Sequence, residues 1–164
     1  MTTYRSYSSA ATKRFAKELA KKILARGRTK KAVIVALVGE LGAGKTTFVQ
    51  GFASGIGIKG APSPTFILMR NSKLIRDKRH ETRDKAQKRK EKSFKNFIHI
   101  DAHRATVKDF LKLGFKEIAS DPENIILVEW ADRIKKLIPK SAVWLKLEHG
   151  KKENERVIAM KQEK

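Results

Sequence analysis

Cysteine is absent from the chain. That removes disulfide staples, thiol nucleophiles and Cys-ligated zinc or iron–sulfur centres together, and it fits a reducing compartment. Long apolar runs are also missing: nothing approaches the ~20 residues that a bilayer-spanning helix needs. Acidic residues are scarce beside basic ones, 17 Asp and Glu against 38 Lys and Arg, for a net charge of +21. Such a balance points to a polyanionic partner, whether RNA, DNA or an anionic membrane surface, or to a Lys-biased surface with no partner at all. It says nothing about mechanism.

What is present is enough for a fold. At 164 residues and 40 % apolar content, the chain suits one domain spanning 1–164. Near the N-terminus, Arg5, Lys13 and Arg14 stand among Ser and Thr without an acid, as in an organelle transit peptide. Against that reading, Phe15, Leu19 and Ile23 recur every four residues, which predicts an amphipathic first helix capped by Thr12 and closed by Gly27. Ala32 to Val38 is continuously apolar and β-branched, as a strand buried on both faces should be. A helix from Thr46 to Ser54 follows, its inner side built from Phe48, Val49 and Phe52. Further strands are expected at Phe66 to Met69, Phe97 to Ile100, Ile125 to Val128, Val143 to Leu147 and Arg156 to Met160. The last two form a hairpin around Gly150. Short helical pieces are expected at Val107 to Leu113 and Ile134 to Ile138. This alternation predicts a three-layer α/β fold with a mainly parallel sheet and a C-terminal hairpin.

The segment from Arg70 to Lys95 differs in kind. It holds twelve Lys or Arg against four Asp or Glu, little apolar content, and no glycine or proline. It reads as an exposed helix or a disordered basic loop inserted between two strands.

Between the first apolar strand and its helix lies Gly39-Glu40-Leu41-Gly42-Ala43-Gly44-Lys45-Thr46. Phosphoryl oxygens need several donors converging on a small space. Glycines let backbone N–H groups turn inward, the following helix adds its positive end, and lysine supplies a movable charge. A threonine hydroxyl suits Mg²⁺. Strand, glycine-rich loop and helix is the order that the phosphate-loop motif requires, so Leu41, Gly42, Ala43, Gly44, Lys45, Thr46 and Thr47 are the expected binders of ATP or GTP phosphates. Two later strands end in acids, Asp101 and Glu129. The carboxyl ends of strands line the ligand crevice of an open α/β sheet. Either acid is therefore a candidate to face the metal, and the other to orient water.

These residues, with Ser63-Pro64-Thr65-Phe66, His99-Ile100-Asp101-Ala102-His103-Arg104, Leu113-Gly114-Phe115 and Val128-Glu129-Trp130, resemble the TsaE (YjeE) family of bacterial phosphate-loop ATPases. The match runs in order from about Thr12 to Met160, apart from the basic insert. The resemblance implies the phosphate-loop NTPase fold and a cytoplasmic ATPase needed to make threonylcarbamoyladenosine in tRNA. It would use ATP and Mg²⁺ and act on the TsaD–TsaB transferase complex, with no membrane partner; tRNA contact through the insert is expected from the charge of that segment, which the family pattern lacks. By the same resemblance, Lys45, Asp101 and Glu129 would be catalytic, and Thr46, Glu129 and Asp101 would face the metal. Thr65 would sense the γ-phosphate. Trp130 and Arg156 would line the nucleotide site, and Ser9 and Thr12 would approach its base. The chain departs from the family pattern at His103, where the family has tyrosine, at Ala102, and at Met69-Arg70-Asn71, where an acidic–aromatic pair is usual. Two other classes share the loop. An RNA-binding module would use nucleotide structurally, and a small-molecule kinase would need an acceptor pocket for which no pattern is present. His99 and His103 flank Asp101, a spacing that suits packing and hydrogen bonding better than a metal cluster.

Overall fold

The computed structural model describes residues 2–58, 68–74 and 93–162. In chain order these form β1 (Thr2–Ser6), α1 (Ser9–Arg26), β2 (Val33–Val38), α2 (Lys45–Gly55), β3 (Met69–Lys73), β4 (Asn96–Asp101), α3 (Val107–Lys112), α4 (Phe115–Ser120), β5 (Asn124–Glu129), a 3-10 segment (Ala131–Leu137), β6 (Val143–His149) and β7 (Arg156–Gln162). The strands make one seven-stranded sheet in the order β1-β7-β6-β2-β5-β4-β3. Its centre, β6-β2-β5-β4, is parallel, and both edges are antiparallel.

The innermost strands, β2 and β5, are apolar on both faces over most of their length, as a parallel centre requires. Alternate residues of β2 go to opposite layers. Val35 and Leu37 join α1 and α2, whereas Ile34 and Ala36 join Phe110 of α3, Phe115 of α4 and Ile134 of the 3-10 segment. Every residue of β5 is buried, as expected for a strand covered on both sides. The result is the three-layer phosphate-loop NTPase fold expected from the residue pattern.

The helices α1 and α2 run parallel and very close. A Cβ on Gly51 would overlap the backbone of Lys13, and one on Gly55 would lie 2.7 Å from the Ala20 Cβ and the Lys17 carbonyl oxygen. Nothing larger than hydrogen fits at either of these two positions on the seam. On either side of it, Phe48 and Phe52 of α2 join a run of rings from Phe15 to Phe97, with centroids about 6 Å apart.

Four local expectations change. The cap of α1 is Ser8, whose hydroxyl accepts from Ala11 N. Thr12 is buried instead, its hydroxyl 2.7 Å from that of Ser6. The edge strand β1 was unforeseen because Thr2–Ser6 has no apolar alternation. It is held by backbone pairing to β7 and by a stack of Tyr4 on Phe15 at 4.5 Å. The strand expected at Phe66 to Met69 is observed at Met69–Lys73, so Arg70 to Lys73 belong to the sheet and not to an insert. Antiparallel pairing at an edge needs only backbone groups, which lets a polar sequence serve. Phe66 and Ile67, and residues 75–92 of the basic segment, lie outside the described residues. Phe94 at the end of that segment is buried in the α1–α2 core. The second short helix, α4, was also unforeseen. It starts directly after Gly114, whose φ of 73° turns the chain.

Candidate functional site

The phosphate loop leaves the carboxyl end of β2, at the middle of the sheet. Its glycines are required by space and by conformation. A side chain on Gly39 would strike the Leu147 carbonyl, and Gly44, with φ 96°, caps α2 in the left-handed region. Lys45 follows as the first residue of α2, so its side chain points back over the loop. Its Nζ donates to the carbonyl oxygens of Gly39 at 2.7 Å and Glu40 at 2.8 Å. The same ammonium lies 3.6 Å from the centre of the Trp130 ring system, a cation–π distance. Burial lowers the Lys45 pKa below the ordinary lysine range, and the charges of Glu129, Asp101 and Asp132 partly offset this.

Trp130 reaches the lysine through an unusual backbone. With φ 57° and ψ 40° it is the one non-glycine residue at positive φ among the described residues. That conformation costs about 1 kcal/mol or more for a residue with a Cβ. The turn ends β5 sharply and brings the indole beside the loop, where the His103 ring packs on it at 4.7 Å. Strain of this kind marks functional sites when surrounding contacts over-determine it.

Glu129 closes the site from β5. Its Oε2 accepts from the Thr46 hydroxyl at 3.3 Å, and its Oε1 is 2.9 Å from His99 Nε2. The side chains of His99 and Glu129 are 3 % and 4 % exposed. A carboxylate so buried requires such partners. Asp101 is the register neighbour of Glu129 across β4 and β5. Its Oδ1 accepts from the backbone N–H of His103 at 2.9 Å, and it is half-exposed. Asp101 therefore borders the site but makes no hydrogen bond to Lys45 or Thr46 among the described contacts.

The outer rim comes from the C-terminal hairpin. Arg156 donates through Nε and Nη2 to the Gly42 carbonyl at 3.3 and 3.1 Å, and through Nη1 to the carbonyls of Glu153 and Glu155. His149 Nε2 lies 3.2 Å from the Leu41 carbonyl. The side chain of Leu41 is 83 % exposed at the tip of the loop.

Lys45, Thr46, Glu129, Trp130 and Arg156 are thus brought together, with Asp101 adjacent. Thr65 lies outside the described residues. Thr12, expected near the base, is buried with its hydroxyl against that of Ser6. Among the described residues no group of three or more His, Cys, Asp or Glu is placed to hold a metal. The donor set of a threonine hydroxyl beside a carboxylate still suits Mg²⁺, which takes few protein oxygens and completes its shell with water and phosphate. Sequence reasoning missed the pairing of His99 with Glu129 and the placing of His149 on the loop. The side-chain alternation along β4 was a usable signal for the first, since it sends His99 inward with Phe97.

The family model for "Threonylcarbamoyl adenosine biosynthesis protein TsaE" matches residues 6–158. The protein of that name from Haemophilus influenzae is 28 % identical over 138 residues, covering 83 % of this chain and 75 % of that one. The one from Borreliella burgdorferi is 30 % identical, covering 68 % and 69 %. The crystal structure of YdiB from Bacillus subtilis superimposes with a TM-score of 0.67 at 25 % identity, over 98 % of this chain and 84 % of that one.

Proposed function

The chain belongs to the TsaE family of threonylcarbamoyl adenosine biosynthesis proteins, and from that premise we propose that it is a Mg²⁺-dependent ATPase switch in the modification of tRNA. In this reading residues 1–164 act as one ATPase domain in the cytoplasm, with the basic segment as an insertion. The domain acts on a TsaD–TsaB transferase pair and does not itself handle the threonylcarbamoyl group. The observation that carries the reading is the convergence of Lys45, Thr46 and Glu129 at the carboxyl edge of the sheet, with Trp130 over the lysine.

Each side chain then has a task. Lys45 leaves the carbonyls of Gly39 and Glu40 and takes β- and γ-phosphate oxygens, exchanging two neutral acceptors for charged ones. The unpaired N–H groups at the start of α2 receive the phosphates. Thr46 and Glu129 hold Mg²⁺, which when bound neutralises charge developing on the phosphoryl oxygens. Asp101, half-exposed beside Glu129, orients water. Arg156 tethers the loop at Gly42, and Thr65 senses the γ-phosphate. Ordering and release of loops around that phosphate resets the transferase pair between turnovers.

The test is threonylcarbamoyladenosine formation in a reconstituted reaction with the transferase pair, using wild type and Glu129→Ala. Product formation should collapse in the variant, with no free phosphate released from ATP. Undiminished product would sink the proposal, and a phosphorylated metabolite would point to a kinase.

A second reading, RNA contact, is favoured by one further observation. At the other end of β2 from the loop, an open cleft of about 650 Å³ is rimmed by Arg26, Lys30 and Lys31 over a floor that includes Ile23, Val33 and Val143. No acid lines it. RNA binding that weakens steeply with salt and is lost on reversing those three charges would assign tRNA contact to this end. Loss only on deleting the basic insert would assign it there.

A further inference from the structure

His99 has no part in the phosphate chemistry described above, yet it is the most deeply placed polar partner of the site. It lies in β4 within the parallel centre, with its ring 6.4 Å from that of Phe97 and nearly parallel to it. The ring is therefore gripped by the sheet. Its Nε2 meets one oxygen of Glu129 at 2.9 Å, and the other oxygen faces the Thr46 hydroxyl. A glutamate at a strand end has free side-chain torsions. Here one oxygen is pinned from behind, so the carboxylate plane is set and the second oxygen is aimed at Thr46.

We propose that His99 is a positioning residue: by holding Oε1 of Glu129 it presents Oε2 beside Thr46 as a preformed half-site for the divalent cation that accompanies the nucleotide. The inference rests on the Mg²⁺-dependent reading above. It assigns His99 no contact with nucleotide and no proton to carry. Partners that orient a metal-facing carboxylate influence metal affinity by about 10- to 100-fold. A residue that only fills the core would alter stability and leave the cation alone.

The experiment measures binding of a non-hydrolysable ATP analogue by calorimetry at increasing Mg²⁺, with hydrolysis absent. The variants are His99→Ala, His99→Asn and His99→Gln. A glutamine amide reaches where Nε2 stands, and an asparagine amide reaches only the Nδ1 position. The Asn and Gln pair therefore decides the matter even if His99→Ala does not fold. In Ala and Asn, half-saturating Mg²⁺ should rise roughly tenfold, while affinity for the analogue without metal stays within about twofold of wild type. Gln should restore most of the Mg²⁺ response. Unchanged half-saturation in Ala or Asn overturns the proposal. So does a loss shared equally by metal-free binding and by the Gln variant, which would mark a packing role. Wild-type binding that ignores Mg²⁺ would remove the parent reading itself, an outcome distinct from any failure confined to the variants.

Discussion

The two ends of α2 are held by opposite means. At its start, Lys45 and Thr46 are fixed by directional polar contacts to Gly39, Glu40, Glu129 and the Trp130 face. From Gly51 onward it is fixed by absence of bulk, with its backbone laid against that of α1. The polar contacts can be exchanged for others of the same kind when an anion arrives. The close-packed seam cannot shift without opening a void or a clash. One helix thus joins an exchangeable end to an immovable one, and the contrast locates function at the first and stability at the second.

Two perturbations test that contrast, beyond those already given for Glu129 and His99, and a third tests the hairpin at the rim of the site. The largest effect is expected from Lys45→Ala. ATP affinity, measured by calorimetry, should fall on the order of 100-fold through loss of a charge-assisted contact, while the urea midpoint moves little. A large drop in stability would show that the loop end is structural after all. Gly51→Ala comes next and should do the reverse. Overpacking against the Lys13 backbone should cost roughly 1–3 kcal/mol in urea denaturation, with ATP affinity of the folded fraction unchanged. A substitution tolerated there without loss would break the comparison.

The smallest effect concerns the hairpin that carries Arg156. Burial pushes the Glu155 carboxyl up, but Arg5 at 3.0 Å and the N–H groups of Lys151 and Lys152 outweigh it and hold its pKa below the ordinary 4.5. A folded-state pKa lowered in this way gives stability that is whole above about 4.5 and fades as pH falls through the lowered value. Glu155→Gln should lack that acid-side decline, read as a flatter dependence of the urea midpoint on pH below 4.5. An identical decline in the variant would assign the effect to other carboxylates.

The centre of the fold was legible because β2 and the middle of β5 are continuously apolar, a pattern that double burial explains, and because β4 carries Phe97, Ile98 and Ile100. The hairpin of β6 and β7 was legible from its alternation about Gly150. The first strand and β3 were not, because edge pairing draws on backbone groups that every residue type shares. At the site, Lys45, Thr46 and Glu129 could be named from spacing and strand ends. Asp101 and Glu129 looked equivalent there. Burial and hydrogen bonding separate them into an acid held on both oxygens and an acid at the rim. Trp130 could be named as a neighbour, but not its left-handed turn or its stacking on the lysine, which depend on what surrounds it. The demand for glycine at position 51 comes wholly from another helix, so nothing local announces it.

Pairing at the far edge of the sheet has a consequence for how this protein can vary. Lys73 and Asn96 are register partners on β3 and β4, so the stretch 74–95 leaves and re-enters the sheet at adjoining points. Closure entropy grows only with the logarithm of loop length, about 0.6 kcal/mol for each doubling. That position therefore imposes almost no constraint on length. It is a natural port for grafting: a peptide tag or small reporter module could replace residues 75–92, with Leu74, the buried Phe94 and Lys95 kept, while the seven strands keep their register.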